Sequence, residues 1–149
     1  MWLAQLIKLP QHADHRGWFM EAWTPAILDQ EFEQENVVFS HRGVLRGMHS
    51  QSPPQGKFVR CLEGMIYDVV ADLDSRRWRS YLLTPGVGLW VPPVYAHGYQ
   101  VLSEIALVSY LVTAGWNKEG EISIRWDDPT LDIRWPLPNP ILSEKDRGY

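Results

Sequence analysis

The amino-acid sequence predicts an all-β protein, a sandwich or barrel of short strands carrying one short N-terminal helix. Three observations lead there. Apolar runs are brief, rich in Val, Ile, Trp and Tyr, and broken by Gly, Pro, Asp or Asn every few residues. Only one segment combines helical periodicity with a cap. No repeat or linker divides the chain, so residues 1–149 are expected to form one domain, long enough to bury a continuous core.

Strands are expected at Leu3 to Lys8 and at Gly17 to Trp23. The helix follows. Thr24 reads as its N-cap and Pro25 as its first residue, and Ala26 to Glu35 carries Ile27, Leu28 and Phe32 on one face. The remaining elements are strands, at Val37 to Ser40, Val44 to Ser50, Lys57 to Leu62, Met65 to Leu73, Arg77 to Leu83, Gly88 to Val91, Gly98 to Leu102, Ile105 to Thr113 and Ile122 to Trp126. Asp127 to Pro138 is irregular and proline-rich, and is expected to wrap the barrel.

Composition removes several classes of function. With 45% hydrophobic residues, eight Trp and six Tyr, the chain is not disordered. The net charge of -4 and the scattering of the 14 Lys and Arg argue against a nucleic-acid surface, so an anion must be met locally by a few cations. Cys61 is the sole cysteine, which rules out an intrachain disulfide and a thiolate metal cluster. The stretch from Met1 to Lys8 has no long apolar core, and no window approaches the roughly 18 apolar residues of a membrane span. A soluble, cytoplasmic protein is the expectation.

The stretch from Val44 to Arg60 carries the chemistry. Arg46, His49 and Lys57 lie among apolar residues in two strand-like runs joined by a short turn, a pattern suited to an anionic, proton-exchanging ligand rather than to packing. Strand parity sets a problem, because Arg46 and His49 fall on opposite faces of a regular strand. A bulge at Gly47 reconciles them. Without a bulge, His49 reads as a core histidine and Arg46 as a surface cation.

Along nearly its whole length the chain resembles the dTDP-4-dehydrorhamnose 3,5-epimerase family. The resemblance rests on Arg16-Gly17-Trp18-Phe19 with Glu21, Leu45 to His49, Gln55-Gly56-Lys57, Gly64 through Asp68-Val69 to Asp72, Pro93, Ala96-His97-Gly98, Tyr110, Glu121, Trp126 with Asp128, Trp135-Pro136 and Leu142 to Asp146. Each motif alone is weak; their shared order and spacing are specific. The resemblance implies a cupin-like jelly roll that inverts C3, C5 or both of a nucleotide-linked 4-keto-6-deoxy sugar. It implies a homodimer with the strand around Arg16 to Trp23 exchanged between subunits.

That chemistry needs a base and an acid on opposite faces of the sugar, because the C4 ketone acidifies the neighbouring C–H bonds and inversion returns the proton to the other side. By resemblance His49 is the base, held and polarised by Asp146, and Tyr110 is the acid. Lys57 is implied at the enolate oxygen, where negative charge develops. Arg16 and Arg46 are implied on the diphosphate, with His97 a secondary contact. Glu21, Trp116, Glu121 and Lys145 match further ligand positions, Trp116 standing where the family usually stacks a tyrosine on thymine.

Ahead of the motif, the family commonly carries Gln-Asp-Asn before a serine. Here Asn36-Val37-Val38-Phe39 precedes Ser40, and a loss of polar contacts is expected. Cupin barrels often hold a metal through closely spaced His and Glu ligands; His49 and His97 have no such partners in sequence, and neither metal nor cofactor is expected. Two other readings stay open at this level: a non-catalytic nucleotide-sugar-binding domain, and a sugar keto-isomerase using similar proton transfers.

Overall fold

Alternating apolar residues on short strands leave each sheet with a face to bury, and in the computed structural model of the chain two five-stranded sheets bury those faces against each other. The structure describes residues 1–148. In chain order the strands are β1 (Gln5–Lys8), β2 (Gln11–Asp14), β3 (Gly17–Met20), β4 (Gln34–His41), β5 (Leu45–Gln51), β6 (Lys57–Glu63), β7 (Ile66–Asp72), β8 (Arg77–Leu83), β9 (Val87–Val91), β10 (Ala96–Val101), β11 (Ile105–Val112) and β12 (Glu121–Ser123). One sheet has the order β1-β9-β6-β11-β4 and the other β12-β5-β10-β7-β8, while β2 and β3 form a separate hairpin. All pairings between these strands are antiparallel.

Three apolar layers follow from strand parity. Between the sheets lie Val59, Cys61, Ile66, Val70, Leu83, Leu89, Val91, Val101, Ala106 and Val108. The outer face of the second sheet buries Met48, Val69, Ala71 and Ala96 under Leu131 and Ile133, so the proline-rich stretch does wrap the sandwich. It is tied down by polar bonds as well. The Trp78 indole donates to the Leu131 carbonyl at 2.9 Å, and the Gln100 amide exchanges two 3.0 Å bonds with the Leu137 backbone.

The third layer corrects the expected helix. No helix forms over Ala26 to Glu35; Thr24 accepts backbone bonds from Ile27 and Leu28, closing one turn, and the chain is extended again from Gln34. The cap is therefore read correctly and its continuation is not. Ile27, Leu28 and Phe32 pack with Trp23 on Phe58, Trp90 and Leu9 over the outer face of the first sheet, and the Trp23 indole donates to the Leu28 carbonyl at 3.0 Å. Glu35 belongs to β4, where it accepts from Arg60 at 2.9 Å and from Ser109 at 2.6 Å across the sheet. Among the described residues no helix is long and apolar enough to cross a membrane.

The bulge expected at Gly47 is present, and it decides which side chains of β5 turn inward. β5 pairs with β10 as His49 with His97 and Arg46 with Tyr99, so two residues of β5 face the single Gly98 of β10. Gly47 has φ +124, and a Cβ there would stand 2.6 Å from the Gly98 Cα and 2.8 Å from the His97 carbonyl oxygen. Only glycine tolerates both conditions. The extra residue turns Met48 into the outer layer while Arg46 and His49 share the inner face.

Candidate active site

A cavity of about 320 Å³ opens between the two sheets, and its walls come from both. From the first sheet come Asn36 and Val38 of β4, Lys57 of β6 and Tyr110 of β11; from the second come Arg46 and His49 of β5, His97 and Tyr99 of β10 and Glu121 of β12. Trp116, Ser143, Lys145 and Asp146 close it from loops. Nine of the eleven residues singled out from the sequence therefore meet around one space. Arg16 and Glu21 do not line it.

His49 and Asp146 stand 97 residues apart and form a close polar contact in the cavity, with His49 Nε2 2.6 Å from Asp146 Oδ1. Asp146 also accepts from the Gly47 N–H at 3.3 Å, so the bulge itself helps hold the carboxylate. Its own backbone N–H donates to Ser143 Oγ at 3.1 Å. Burial works to raise the Asp146 carboxyl, but the His49 bond and charge, the Gly47 N–H and Lys145 outweigh it and hold the group below its ordinary range. An ionised Asp146 favours a proton on His49 Nε2, which leaves Nδ1 with the free lone pair.

A second histidine repeats this arrangement. His97, which lies within β10 rather than ahead of a strand, brings its Nε2 to 2.8 Å from Asp68 Oδ2. Asp68 is fully buried and its other carboxylate oxygen has no hydrogen-bond partner among the described residues. Burial pushes this carboxyl up, against the pull of His97 and Lys57. Asp68 is the residue that sequence reasoning passed over as one member of a motif. The signal lay in Ile66-Tyr67-Asp68-Val69-Val70, where a carboxylate inside a buried strand requires a partner.

Lys57 begins β6 as an inward-facing residue, 9% exposed. Desolvation lowers its pKa from 10.5 to about 8, moderated by the charges of Asp68 and Glu121. Tyr110 shares that wall, since β11 pairs with β6 with Tyr110 opposite Val59 and Val112 opposite Lys57. Burial raises the Tyr110 phenol, partly offset by a hydrogen bond from Asn36 and by Arg46 and Lys145. A neutral phenol at physiological pH is a proton donor.

The segment before the motif carries polar contacts at Asn36 and Ser40, on either side of Val37-Val38-Phe39. β4 is continuous through Ser40, so Asn36, Val38 and Ser40 face inward while Val37 and Phe39 face outward. Asn36 meets Tyr110, and Ser40 Oγ accepts from Arg46 Nε at 3.0 Å. Parity makes this legible once the strand is extended back to Gln34.

At the mouth, Lys145 donates to the Glu121 carboxylate, and Trp116 stands over them, 62% exposed. Burial tends to raise Glu121, and Lys145, His49 and the Trp116 indole hold it below its ordinary value. An exposed indole beside a paired cation offers a flat apolar face for a ring. Arg16 lies elsewhere, bonded to Asp14 at the tip of the β2–β3 hairpin, whose Trp18 and Phe19 are 51% and 65% exposed. Among the described residues no group of three His, Cys, Asp or Glu side chains converges as a metal site.

Comparison with known proteins bears on this geometry. Residues 4–149 match the family described as dTDP-4-dehydrorhamnose 3,5-epimerase. The protein of that name from Methanothermobacter thermautotrophicus is 39% identical over 163 residues, covering 98% of this chain and 88% of its own. The structure of dTDP-6-deoxy-D-glucose-3,5-epimerase from Legionella pneumophila, in complex with dTDP-4-keto-L-rhamnose, superposes with a TM-score of 0.89 at 36% identity and covers 97% of this chain and 85% of that one. The 3'-monoepimerase ChmJ from Streptomyces bikiniensis, in complex with dTDP-quinovose, superposes with a TM-score of 0.87 at 29% identity, covering 97% and 81%.

Proposed function

The chain belongs to the dTDP-4-dehydrorhamnose 3,5-epimerase family and is an isomerase of that family, and we propose that it inverts C3, C5 or both of a dTDP-linked 4-keto-6-deoxy sugar with His49 as base and Tyr110 as acid. One observation supports these roles above the others. His49 stands on the second sheet and Tyr110 on the first, so the two proton-handling groups line opposed walls of one cavity. Inversion requires that opposition, and ligand binding alone does not.

The steps follow from the groups present. His49, polarised by Asp146, takes the proton from the carbon beside the C4 ketone. Charge moves onto the keto oxygen, where the Lys57 ammonium, desolvated and on the Tyr110 wall, stabilises an enolate more than a neutral ketone. Tyr110 returns a proton to the opposite face, and bulk solvent restores both groups. Arg46 meets the diphosphate, Trp116 stacks on the base, and His97, Glu121 and Lys145 complete the sugar and nucleotide contacts.

Arg16 and Glu21 enter this scheme only from another subunit. A hairpin with exposed Trp18 and Phe19, carrying a guanidinium that its own cavity does not use, supports a homodimer in which each hairpin reaches the partner's site. Residues 1–149 then act as one epimerase unit per subunit, in the cytoplasm. Product NMR after incubation with dTDP-4-keto-6-deoxyglucose tests the activity. A changed coupling pattern at H3 or H5 is expected, and unaltered substrate would contradict the reading.

A further inference from the structure

Tyr99 packs in the core through its ring, but its buried hydroxyl is used neither by that packing nor by the steps above. It lies on β10, is 3% exposed, and packs against Val101, Ala106 and their neighbours between the sheets. Phenylalanine would fill that volume without removing a hydroxyl from water. The Tyr99 hydroxyl nevertheless has no hydrogen-bond partner among the described residues. Ser40 stands near enough to ease its ionisation slightly, but outside hydrogen-bonding geometry, and its Oγ already accepts from Arg46. A buried polar group without a protein partner calls for an explanation, and on the wall of a cavity a bound ligand atom supplies one.

The position of the hydroxyl narrows which ligand atom that is. Tyr99 lines the active cavity and is the cross-strand partner of Arg46, so the two side chains are neighbours on one face. The cross-strand pair of His49 with His97 lies beyond the bulge. Tyr99 stands between Arg46 on β5 and Asp68 on β7, and of these two neighbours the guanidinium is the one that attracts an anionic ligand. Burial raises its phenol strongly, Arg46 lowers it in part, and Tyr110 and Asp68 add to the rise, so the group stays protonated and donates. A guanidinium and a neutral O–H side by side suit an oxygen with several lone pairs and negative charge.

We propose that Tyr99 is a substrate-binding residue whose O–H donates to the phosphoryl oxygen held by Arg46, forming with it a two-residue clamp on the diphosphate. The clamp rests on the nucleotide-sugar reading given above. It makes the β5–β10 pairing a division of labour, with carbon-acid chemistry at the His49 and His97 pair and phosphate recognition at the Arg46 and Tyr99 pair.

Calorimetric titration of wild type and Tyr99→Phe with dTDP and with inorganic pyrophosphate tests it. The hydroxyl is the only group removed, so Tyr99→Phe is expected to unfold at the wild-type temperature or above it, and to bind both ligands roughly tenfold more weakly, the scale of one hydrogen bond to a charged acceptor. Equal affinities for dTDP in the two proteins would overturn the clamp and leave the epimerase reading standing. Weakened dTDP binding with unchanged pyrophosphate binding would also overturn it, because the hydroxyl would then serve the nucleoside. A wild-type protein that binds neither ligand overturns the nucleotide-sugar reading and the clamp together.

Discussion

His49 and His97 are direct cross-strand partners on β5 and β10, and each holds a buried carboxylate through Nε2, Asp146 at 2.6 Å and Asp68 at 2.8 Å. Two imidazole–carboxylate pairs thus stand side by side on one wall of the cavity. They differ in environment. Asp146 is held ionised by its neighbours, whereas burial pushes the Asp68 carboxyl upward. The His49 pair is therefore the one suited to taking a proton, and Asp68 to keeping His97 oriented.

Lys57 links activity to pH. Its folded-state pKa of about 8 lies below the ordinary 10.5, so the folded protein sheds this proton first. The unfolded chain binds more protons between about pH 8 and 10.5, and stability from this group rises with pH across that window, while below pH 8 the cost of burying the cation is fully present. Lys57→Met is expected to stabilise the protein at pH 7 by on the order of 1 to 3 kcal/mol and to lower turnover at least a hundredfold. The wild-type kcat/KM should fall on the alkaline side with an apparent pKa near 8. A profile flat to pH 10 would contradict the role.

Tyr110→Phe separates proton removal from inversion. With the acid lost and His49 intact, the enolate recovers its proton from the face that lost it. Deuterium should enter recovered substrate with its configuration retained, while formation of the inverted product falls by roughly two to four orders of magnitude. Mass spectrometry of recovered substrate together with product NMR reads both. Loss of exchange and inversion in equal measure would assign the phenol another role.

Subunit exchange has a complementation test. A mixture of refolded Arg16→Ala and His49→Ala chains forms hybrid dimers in which one site combines an intact hairpin with an intact cavity. Random pairing should restore about a quarter of wild-type activity from two weak parents. No recovery, with hybrid dimers shown to be present, would place Arg16 outside the partner's site.

Gly47→Ala probes the bulge. The added methyl would meet backbone at 2.6 and 2.8 Å, and φ is +124, so neither a rotamer change nor a small shift relieves it. A loss of roughly 2 to 4 kcal/mol in chemical denaturation is expected, with activity falling further than stability because Arg46 and His49 lose their common face. Wild-type stability would show that the bulge is not what holds them there.

Much of this architecture was legible in the sequence because burial imposes period-two patterns. The strands from β5 to β11 fall within a residue or two of the apolar runs that mark them, and the parity conflict between Arg46 and His49 located the bulge at Gly47. β2 carried no such signal, since Gln11 to Asp14 is exposed along its whole length. The segment after Thr24 had a helical pattern that tertiary packing overrode, because Ile27, Leu28 and Phe32 cover the flat outer face of a sheet and Glu35 is drawn into β4 by Arg60 and Ser109. Asp68 and Tyr99 were hidden for a shared reason. Each is a polar residue inside an apolar strand, and which partner it faces is set by cross-sheet geometry.

The central claim is that His49 abstracts a carbon-bound proton, and exchange of that proton with solvent measures it most directly. In deuterated water with dTDP-4-keto-6-deoxyglucose, the wild-type protein should place deuterium at C3, C5 or both, and His49→Ala should slow that incorporation by about two to four orders of magnitude. Deuterium entering at the wild-type rate in His49→Ala, or no deuterium entering with the wild-type protein, would contradict the account.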